Sequence, residues 1–369
     1  MPAFILRQGF GGTGPMTPRL RRDRSGVAGF GETGPPWPLE QSVRPIIFDT
    51  DSAVFNDDAA ALAMLLRRRD LVEILGVTVV AGNHTVPQGA EHMLHLLEVT
   101  GATDTPLYLG AHAPLVNTPA RAARQEATWG PISFKGAFDE GPPVRPPHGG
   151  RFATTRPRQT EAVAFITDTI ERRPDEVTIV AVGPMTNLAL ALRRRPDLAP
   201  RIGSLVFMGG NARVPGNVTP AAEFNLWFDP EAAAEVLASA IPHIVMFGLD
   251  ITNHAPVDKT LFERIVAVDT PLTRLMRHHM GPRFARDPRA VYHVWDCVTA
   301  AWLIDPTVVT ASEHLPIVVD TTFGPGYGGT SVAAPGAPDA RPIEVMLELD
   351  VEKFHGIYED LLTRPPDRM

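Results

Sequence analysis

The sequence lacks several features that would point to other classes of protein. It contains a single cysteine, Cys297, which excludes an internal disulfide framework and a cysteine-rich metal site. No run approaches the roughly 18 apolar residues that a membrane-spanning helix requires, so an integral membrane protein is excluded. The net charge is −8 and the basic residues are spread along the chain, so no surface for nucleic acid is expected. We expect a soluble, cytoplasmic protein.

The first 43 residues differ in composition from the rest of the chain. They are rich in Gly, Pro and Arg, and the sequence GFGGTGP at 9–15 returns as GFGETGP at 29–35. They offer too little apolar surface to offset the entropy of ordering, and they lack the apolar core of a secretory signal. We therefore predict a disordered extension over residues 1–43, with a partner-binding arm as the alternative, and one domain over residues 44–369.

From Arg44 onward, short apolar runs alternate with segments of helical periodicity. Strands are predicted at PIIFDTD, LVEILGVTVVAGN, TPLYLG, VTIVAV, GSLVFMGG and PHIVMFGLD. Helices are predicted at Asp57–Arg69, Pro87–Thr100, Glu161–Arg173, Thr186–Arg195 and Pro230–Ala240. This alternation predicts an α/β, Rossmann-like single domain whose central sheet is mainly parallel and flanked by helices. The Pro/Gly-rich stretch at 113–158 is too long for a simple connection and predicts a lid or binding loop.

Four aspartates lie close together where the first predicted strand ends and the next helix begins: Asp49, Asp51, Asp57 and Asp58. Helix capping and the helix dipole account for one or two of them. Like charges held this close raise each other's pKa and oppose folding unless a cation compensates them. Oxygen donors without clustered Cys or His suit Ca²⁺ or Mg²⁺ rather than zinc. The cluster predicts a divalent-ion site, with a purely capping role as the alternative.

The segment FDTDSAVFNDDAAAL at 48–62 resembles the N-terminal signature of the inosine–uridine-preferring nucleoside hydrolase family. The resemblance continues in order through VTVVAGN, VGPMTNLALAL, MGG, GNVTPAAEFNLWFDPEAA and WDCVTAAWLIDP. Two positions depart from the family pattern: Ala53 replaces a usual glycine, and Phe55 stands where longer-form members often carry another acid. The resemblance implies hydrolysis of the N-glycosidic bond of ribonucleosides, and a homodimer or homotetramer.

The resemblance also implies a set of ligands. It assigns Ca²⁺ to Asp51, Asp58, Asp296 and the backbone carbonyl of Val182. It assigns the sugar to Asp57, Asn83, Asn217, Glu223, Asn225 and Asp296. From the residues alone, the group around Asn217 also reads as an Asn-rich turn. Asp49 is expected to support and orient its neighbours.

The implied reaction passes through a sugar cation that carries positive charge at C1′ and the ring oxygen. In the family pattern, Ca²⁺ holds and acidifies a water molecule, and Asp51 takes the proton of that water as general base. Asn217 and the neighbouring carboxylates stabilise the ribosyl cation electrostatically. The sugar diol explains why the site would consist of acceptors and amides rather than cations.

Two tryptophans suggest how the base is bound. Trp295 stands directly before Asp296, where base-non-specific and pyrimidine-preferring members typically place a histidine, and Trp129 lies in the long predicted loop. This pattern resembles the purine-specific branch, in which two tryptophans sandwich the base and favour its protonated form. A packing role for Trp129 is the alternative. His293 is a weaker candidate for base contact, and His84 is expected to be a polar loop residue.

Three other functions compete with this interpretation. FDTDSAV also resembles the opening of haloacid dehalogenase-type phosphatases, with Asp49 as nucleophile, Asp51 as acid/base and Mg²⁺ as cofactor. That chemistry needs a lysine near the phosphoryl group, and the chain's lysines stand in no suitable strand-end context: Lys135, Lys259 and Lys353. A non-catalytic riboside-binding protein and a hydrolase of modified nucleosides are the remaining alternatives. The glycine-rich GPGYGGTSV at 324–332 lacks the lysine of a phosphate loop and predicts a turn.

Overall fold

The computed structural model describes residues 43–52, 55–139, 143–147, 150–337 and 340–365. The predicted disordered extension therefore lies outside the described residues, apart from Val43, and its disorder stays a prediction. Ala53, one of the two departures from the family signature, also lies outside them.

The strands are β1 (Arg44–Thr50), β2 (Val72–Val79), β3 (Leu107–Leu109), β4 (Thr178–Ala181), β5 (Ser204–Met208), β6 (Ile244–Phe247), β7 (Pro256–Val257), β8 (Tyr292–His293), β9 (Val309–Val319), β10 (Thr330–Val332) and β11 (Pro342–Leu349). In the described part of the chain, nine of them form one sheet in the order β10-β9-β11-β6-β5-β4-β1-β2-β3. The pairs from β11 to β3 are parallel, whereas β9 runs antiparallel to β10 and β11. β7 and β8 form a separate antiparallel pair.

The helices are α1 (Asp57–Leu66), α2 (Val86–Thr100), α3 (Pro119–Trp129), α4 (Ala162–Arg172), α5 (Thr186–Arg194), α6 (Phe224–Phe228), α7 (Pro230–Ala238), α8 (Leu249–Thr252), α9 (Lys259–Ala267), α10 (Pro271–Arg286), α11 (Trp295–Ile304) and α12 (Val351–Thr363). Single 3₁₀ turns lie at Gly136–Phe138, Pro196–Arg201 and Pro306–Val308.

The core lies on the central parallel strands, which are buried along their whole length. Ile179 and Leu205 point toward the layer of α4, α5 and α7, where they join one continuous apolar cluster. Side chains alternate along a strand, so their neighbours Val180 and Val206 point to the other face of the sheet. Near-continuous apolar runs are typical of strands that are covered on both faces. The predicted α/β architecture is confirmed.

Helix α1 shows how local chemistry sets the boundaries of an element. The Asn56 side-chain oxygen accepts the Ala59 N–H at 3.3 Å and caps the helix, and Asp57 and Asp58 occupy its first turn. The helix ends at Leu66, three residues before its predicted end, so the predicted arginines in its last turn lie beyond it.

The stretch at 113–158 contains more regular structure than predicted. Pro119 occupies the first turn of α3, where its missing N–H costs nothing, and the Thr118 hydroxyl accepts the Arg121 N–H at 3.2 Å. The prediction of a long loop was wrong here because this proline begins a helix. In the glycine-rich segment, the predicted turn is confirmed up to Gly329, whereas Thr330–Val332 forms β10.

Among the described residues, no helix is long and apolar enough to cross a membrane.

Candidate active site

A cavity of about 480 Å³ opens at the carboxyl ends of the parallel strands. Asn83 follows β2, Val182 follows β4, and Met208 ends β5; all three line the cavity. Ligands collect at this edge in open parallel sheets because successive strand ends and helix starts converge there. The cavity therefore lies where the sequence predicts a site.

Three acids from distant parts of the chain meet in this cavity. The side-chain oxygens of Asp57, Asp58 and Asp296 lie within 4.8 Å of one another. Asp57 and Asp58 stand in the first turn of α1, and Asp296 stands in the first turn of α11. Two helix N-termini thus point their partial positive charge at the same group of carboxylates. The structure brings Asp58 and Asp296 together as the resemblance implies, and Asp57 joins them.

Asp51 lies beside this trio, directly after β1, and it is buried. Its Oδ2 accepts the Asn83 N–H at 2.7 Å, whereas its Oδ1 has no hydrogen-bond partner among the described residues. Burial, followed by the charge of Asp58, raises the pKa of Asp51 well above its usual value. Asp51 is not among the described residues that line the cavity.

The carboxylates of the site are not balanced by basic side chains. Burial raises the pKa of Asp58, although the Thr50 hydroxyl and the Asn56 amide donate to its oxygens at 2.5 and 2.7 Å. Burial and the charges of the neighbouring aspartates raise the pKa of Asp296 well above its usual value. Burial, and then the charge of Asp58, raises the pKa of Asp57 to about 7.

This arrangement passes a simple test for a cation site. Within the described ranges, none of these four aspartates forms an ion pair with a lysine or an arginine. The orphaned Asp51 Oδ1 offers one more oxygen, and an oxygen-only donor set suits a hard divalent ion. The residues present fit a bound metal.

Two glycines make room for Asp51. A Cβ atom on Gly82 would collide with the Asp51 carboxylate, and one on Gly183 would lie 2.8 Å from the Asp51 backbone nitrogen. Both glycines stand in motifs that carry the resemblance, AGN and VGP, yet the sequence alone assigns them no role. Their requirement appears only once β1, β2 and β4 are placed side by side.

Asn225 links the sugar side of the cavity to the sheet. Its side-chain amide donates to the Val182 carbonyl at 3.0 Å and to the Met208 carbonyl at 3.1 Å. Asn225, which the resemblance assigns to the sugar, therefore holds in position the Val182 carbonyl, which the resemblance assigns to the metal.

Glu223 and Asn217 fix the start of α6. The buried Glu223 carboxylate accepts the backbone N–H groups of Gly210 and Asn225 at 2.9 Å and of Leu226 at 3.2 Å. The Asn217 side-chain oxygen accepts the N–H of the first residue of α6 at 3.0 Å. Both side chains line the cavity and also have a structural role.

Asp49 lies in the sheet beneath the site. It accepts hydrogen bonds from the Thr78 hydroxyl and, at 2.7 Å, from the Asn187 amide, whose oxygen accepts the Ala111 N–H at 2.8 Å. Burial raises the pKa of Asp49 to about 7. Its described hydrogen bonds join β1 to β2 and α5, so it supports the scaffold of the site rather than the other aspartates directly.

Trp295 is held as a flat wall of the cavity. Its indole N–H donates to the Asn253 side-chain oxygen at 3.0 Å, and its ring stacks on His293 with centroids 5.5 Å apart and an interplanar angle of 13°. Both rings line the cavity. Trp295 thus lines the cavity, and its contact with the base stays a prediction.

Trp129 is placed differently from the prediction. It ends α3, is 41% exposed, and is not among the described residues that line the cavity. Gly130 turns the chain away, and Phe134 lines the cavity instead, edge-to-face with Phe224 at 6.5 Å. Phe134 is 54% exposed and has a φ of 72°, so a strained backbone presents this ring. No pattern in the sequence indicates Phe134.

His84, which contacts His92, is not among the described residues that line the cavity.

Solved structures of nucleoside hydrolases share the fold of this chain. The model of the family "Inosine-uridine preferring nucleoside hydrolase" matches residues 46–356, so the chain belongs to this family and is an N-ribohydrolase. Members of this family generally bind a metal ion, which agrees with the acid cluster. The alternatives of a phosphatase and of a non-catalytic binding protein are wrong.

Individual relatives differ in the base that their names specify. The chain is 32% identical over 324 residues to the pyrimidine-specific ribonucleoside hydrolase RihB of Escherichia coli strain SE11, covering 86% of this chain and 96% of that protein. It is 27% identical to the structure of an inosine-guanosine nucleoside hydrolase, with a TM-score of 0.72 and coverage of 87% and 99%. A plant nucleoside hydrolase, PpNRh1, has the same fold at 24% identity, with a TM-score of 0.72 and coverage of 88% and 100%.

The clearance around Asp51 gives a first test. Gly82→Ala should lower kcat for ribose release by about 10²-fold, because the new methyl group displaces the Asp51 carboxylate. Gly356→Ala, in α12 with no atom within 4 Å of the added Cβ, is the matched control and should keep full activity. Thermal melting checks that both variants fold. Wild-type kcat in a folded Gly82→Ala variant would show that the position of Asp51 is not critical.

Proposed function

We propose that this chain is a calcium-dependent ribonucleoside hydrolase that prefers purine nucleosides and releases free base and ribose. The observation that carries the proposal is the meeting of Asp58 and Asp296 near Asp51, at a cavity that is lined by both acidic and aromatic side chains. A homodimer or homotetramer and a cytoplasmic location stay predictions.

The metal would be held by Asp51, Asp58, Asp296 and the carbonyl of Val182. When bound, Ca²⁺ supplies positive charge that lowers the pKa of a water molecule and orients the sugar diol. Calcium is favoured because these donors are all oxygens and come from separate elements, which suits its variable coordination geometry better than the strict octahedron of Mg²⁺.

Asp51 is the best-placed general base. Its carboxylate is fixed by the Asn83 N–H at Oδ2, and it would accept the proton of a water molecule held beside the metal. The aspartates of the cavity would stabilise the positive charge that develops on the ribose. The Glu223 carboxylate and the Asn217 amide, which also line the cavity, would add to this stabilisation. These groups are fixed by hydrogen bonds before substrate binds, so little reorganisation is needed.

The purine preference rests on Trp295. Its indole is held in place by the hydrogen bond to Asn253 and by stacking with His293. A bicyclic base gains more stacking area on an indole than a single ring does. The similarity to an inosine-guanosine hydrolase supports this preference, whereas the similarity to RihB supports a pyrimidine. Phe55, which lines the same cavity, is where a modified base would meet this chain's departure from the family pattern.

Metal removal tests the cofactor. Activity should disappear after treatment with EDTA and return with Ca²⁺ more fully than with Mg²⁺. Calcium should also raise the melting temperature, because a ligand at 100 times its Kd stabilises the native state by about 2.7 kcal/mol. Full activity in a protein shown by elemental analysis to be metal-free would contradict the proposal.

Asp51→Ala tests the general base. The variant should fold, because the side chain is one of several like charges, but its turnover should fall by about 10²- to 10⁴-fold. Asp104→Asn, which alters an exposed ion pair far from the cavity, is the control. Near-normal turnover in a folded, metal-loaded Asp51→Ala variant would end the assignment of Asp51 as the base.

A substrate panel tests the base preference. The kcat/KM for inosine should exceed that for uridine by at least about tenfold, since stacking of a base on an aromatic ring contributes about 1–3 kcal/mol. Trp295→Ala should reduce this ratio. Equal kcat/KM values for the two nucleosides would refute the stacking argument, and a preference for uridine would group the protein with RihB in specificity.

A further inference from the structure

The cavity is lined by both acidic and basic side chains. Its described lining includes Asp57, Asp58, Asp296 and Glu223, and also His279, Arg283, Tyr292, His293 and Trp295. Arg283 is the only arginine or lysine among the described lining residues. The function argued so far gives it no role.

Arg283 is held by an aromatic ring rather than by an acid. Its guanidinium carbon lies 4.7 Å from the centroid of the Tyr292 ring. The Tyr292 hydroxyl donates to the Met280 carbonyl at 3.4 Å, and the ring packs on Phe284 with centroids 5.3 Å apart. In the part of the chain that the structure describes, no carboxylate lies within 4.0 Å of the Arg283 guanidinium nitrogens. Its positive charge is therefore positioned without being neutralised.

Arg283 also lies close to the ring that stacks on Trp295. Tyr292 and His293 pair with Val257 and Pro256 of β7, and α11 begins at Trp295. Burial, and then the charge of Arg283, lowers the pKa of His293, whose ring stacks on Trp295 with centroids 5.5 Å apart, and all three side chains line the cavity. A base that stacks on Trp295 would therefore lie near Arg283.

Hydrolysis creates negative charge on the departing base. As the C1′–N bond breaks, its electron pair stays on the base nitrogen, and the water oxygen forms the new bond to C1′. The proton of that water passes to a carboxylate, and the departing base takes up a proton from solvent. Until it does, the base carries negative charge, which in inosine or uridine spreads onto a carbonyl oxygen.

We propose that Arg283 is a catalytic residue that binds the departing base and stabilises its negative charge. A guanidinium has five N–H donors and no acceptor, so it pairs with a carbonyl oxygen but not with an amino group. The site should therefore select bases with an outer oxo group over bases with an amino group, whether purine or pyrimidine. This inference rests on the proposed hydrolase function and is independent of the purine preference.

His293 is the competing candidate for leaving-group activation. Burial, followed by the charge of Arg283, lowers the pKa of His293, which keeps its imidazole neutral at physiological pH. A neutral imidazole is a poorer source of positive charge than an arginine, which stays protonated at any physiological pH.

The test compares a substrate that needs help in leaving with one that does not. Arg283→Met and Arg283→Lys are assayed on inosine and on p-nitrophenyl β-D-ribofuranoside, whose phenolate leaves readily unaided. Arg283→Met should lower kcat/KM for inosine by about 10²-fold, as loss of one preorganised donor does elsewhere, and leave the p-nitrophenyl riboside nearly unchanged. Arg283→Lys should be intermediate, because it keeps the charge but loses the planar fork.

Two further measurements complete the experiment. The ratio of kcat/KM for inosine over adenosine, and for uridine over cytidine, should be large in the wild type and fall in Arg283→Met. Arg286→Met removes the same charge from the same helix at a residue that is not a described lining residue, and should leave all rates unchanged.

The outcomes separate this inference from the function on which it rests. No loss on inosine, or an equal loss on both substrates, would overturn the role of Arg283 while the hydrolase function stands. Failure of the metal-loaded wild type to release ribose from either substrate would overturn the hydrolase function, and this inference with it.

Discussion

The structure depends on the confinement of like charges. Asp51, Asp58 and Asp296 are buried together without a described basic partner, although each would be more stable in water. The scaffold keeps them there by converging strand ends, by two helix N-termini whose dipoles favour negative charge, and by glycines that leave room for the Asp51 side chain. A bound cation would compensate the repulsion between these carboxylates.

The polarity of the cavity matches the polarity of the reaction. When an N-glycosidic bond breaks heterolytically, positive charge develops on the sugar and negative charge on the base. The cavity is lined both by the carboxylates, which we propose to stabilise the sugar, and by Arg283, which we propose to stabilise the base. Fixed charges of this kind need no rearrangement during the reaction, which is why preorganised electrostatics are effective in catalysis.

Much of the fold could be predicted from the sequence because the central strands are continuous apolar runs that end in acids or glycines, as in PIIFDTD. Regular alternation made the parallel sheet predictable, whereas α3 was missed because Pro119 reads equally well as a breaker and as a first helical residue. The partnership of Asp58 with Asp296 came from family resemblance, since no local pattern joins residues so far apart. Phe134 and Arg283 could not be found, because no local pattern shows that the segment after α3 and helix α10 both contribute side chains to the cavity.

The pairing of β7 with β8 has a consequence for how specificity can change. Residues 292–296 carry, in order, the ring that holds Arg283, the imidazole that stacks on the indole, and Asp296 of the acid cluster. Because these contacts share one short stretch of backbone, insertions or deletions there would shift the acid cluster together with the base wall. Exchanging side chains on an unchanged main chain is therefore the less disruptive route toward new nucleobases, and a chimera that transplants this pentapeptide would also need Arg283 from α10 to transfer the proposed recognition of the leaving group.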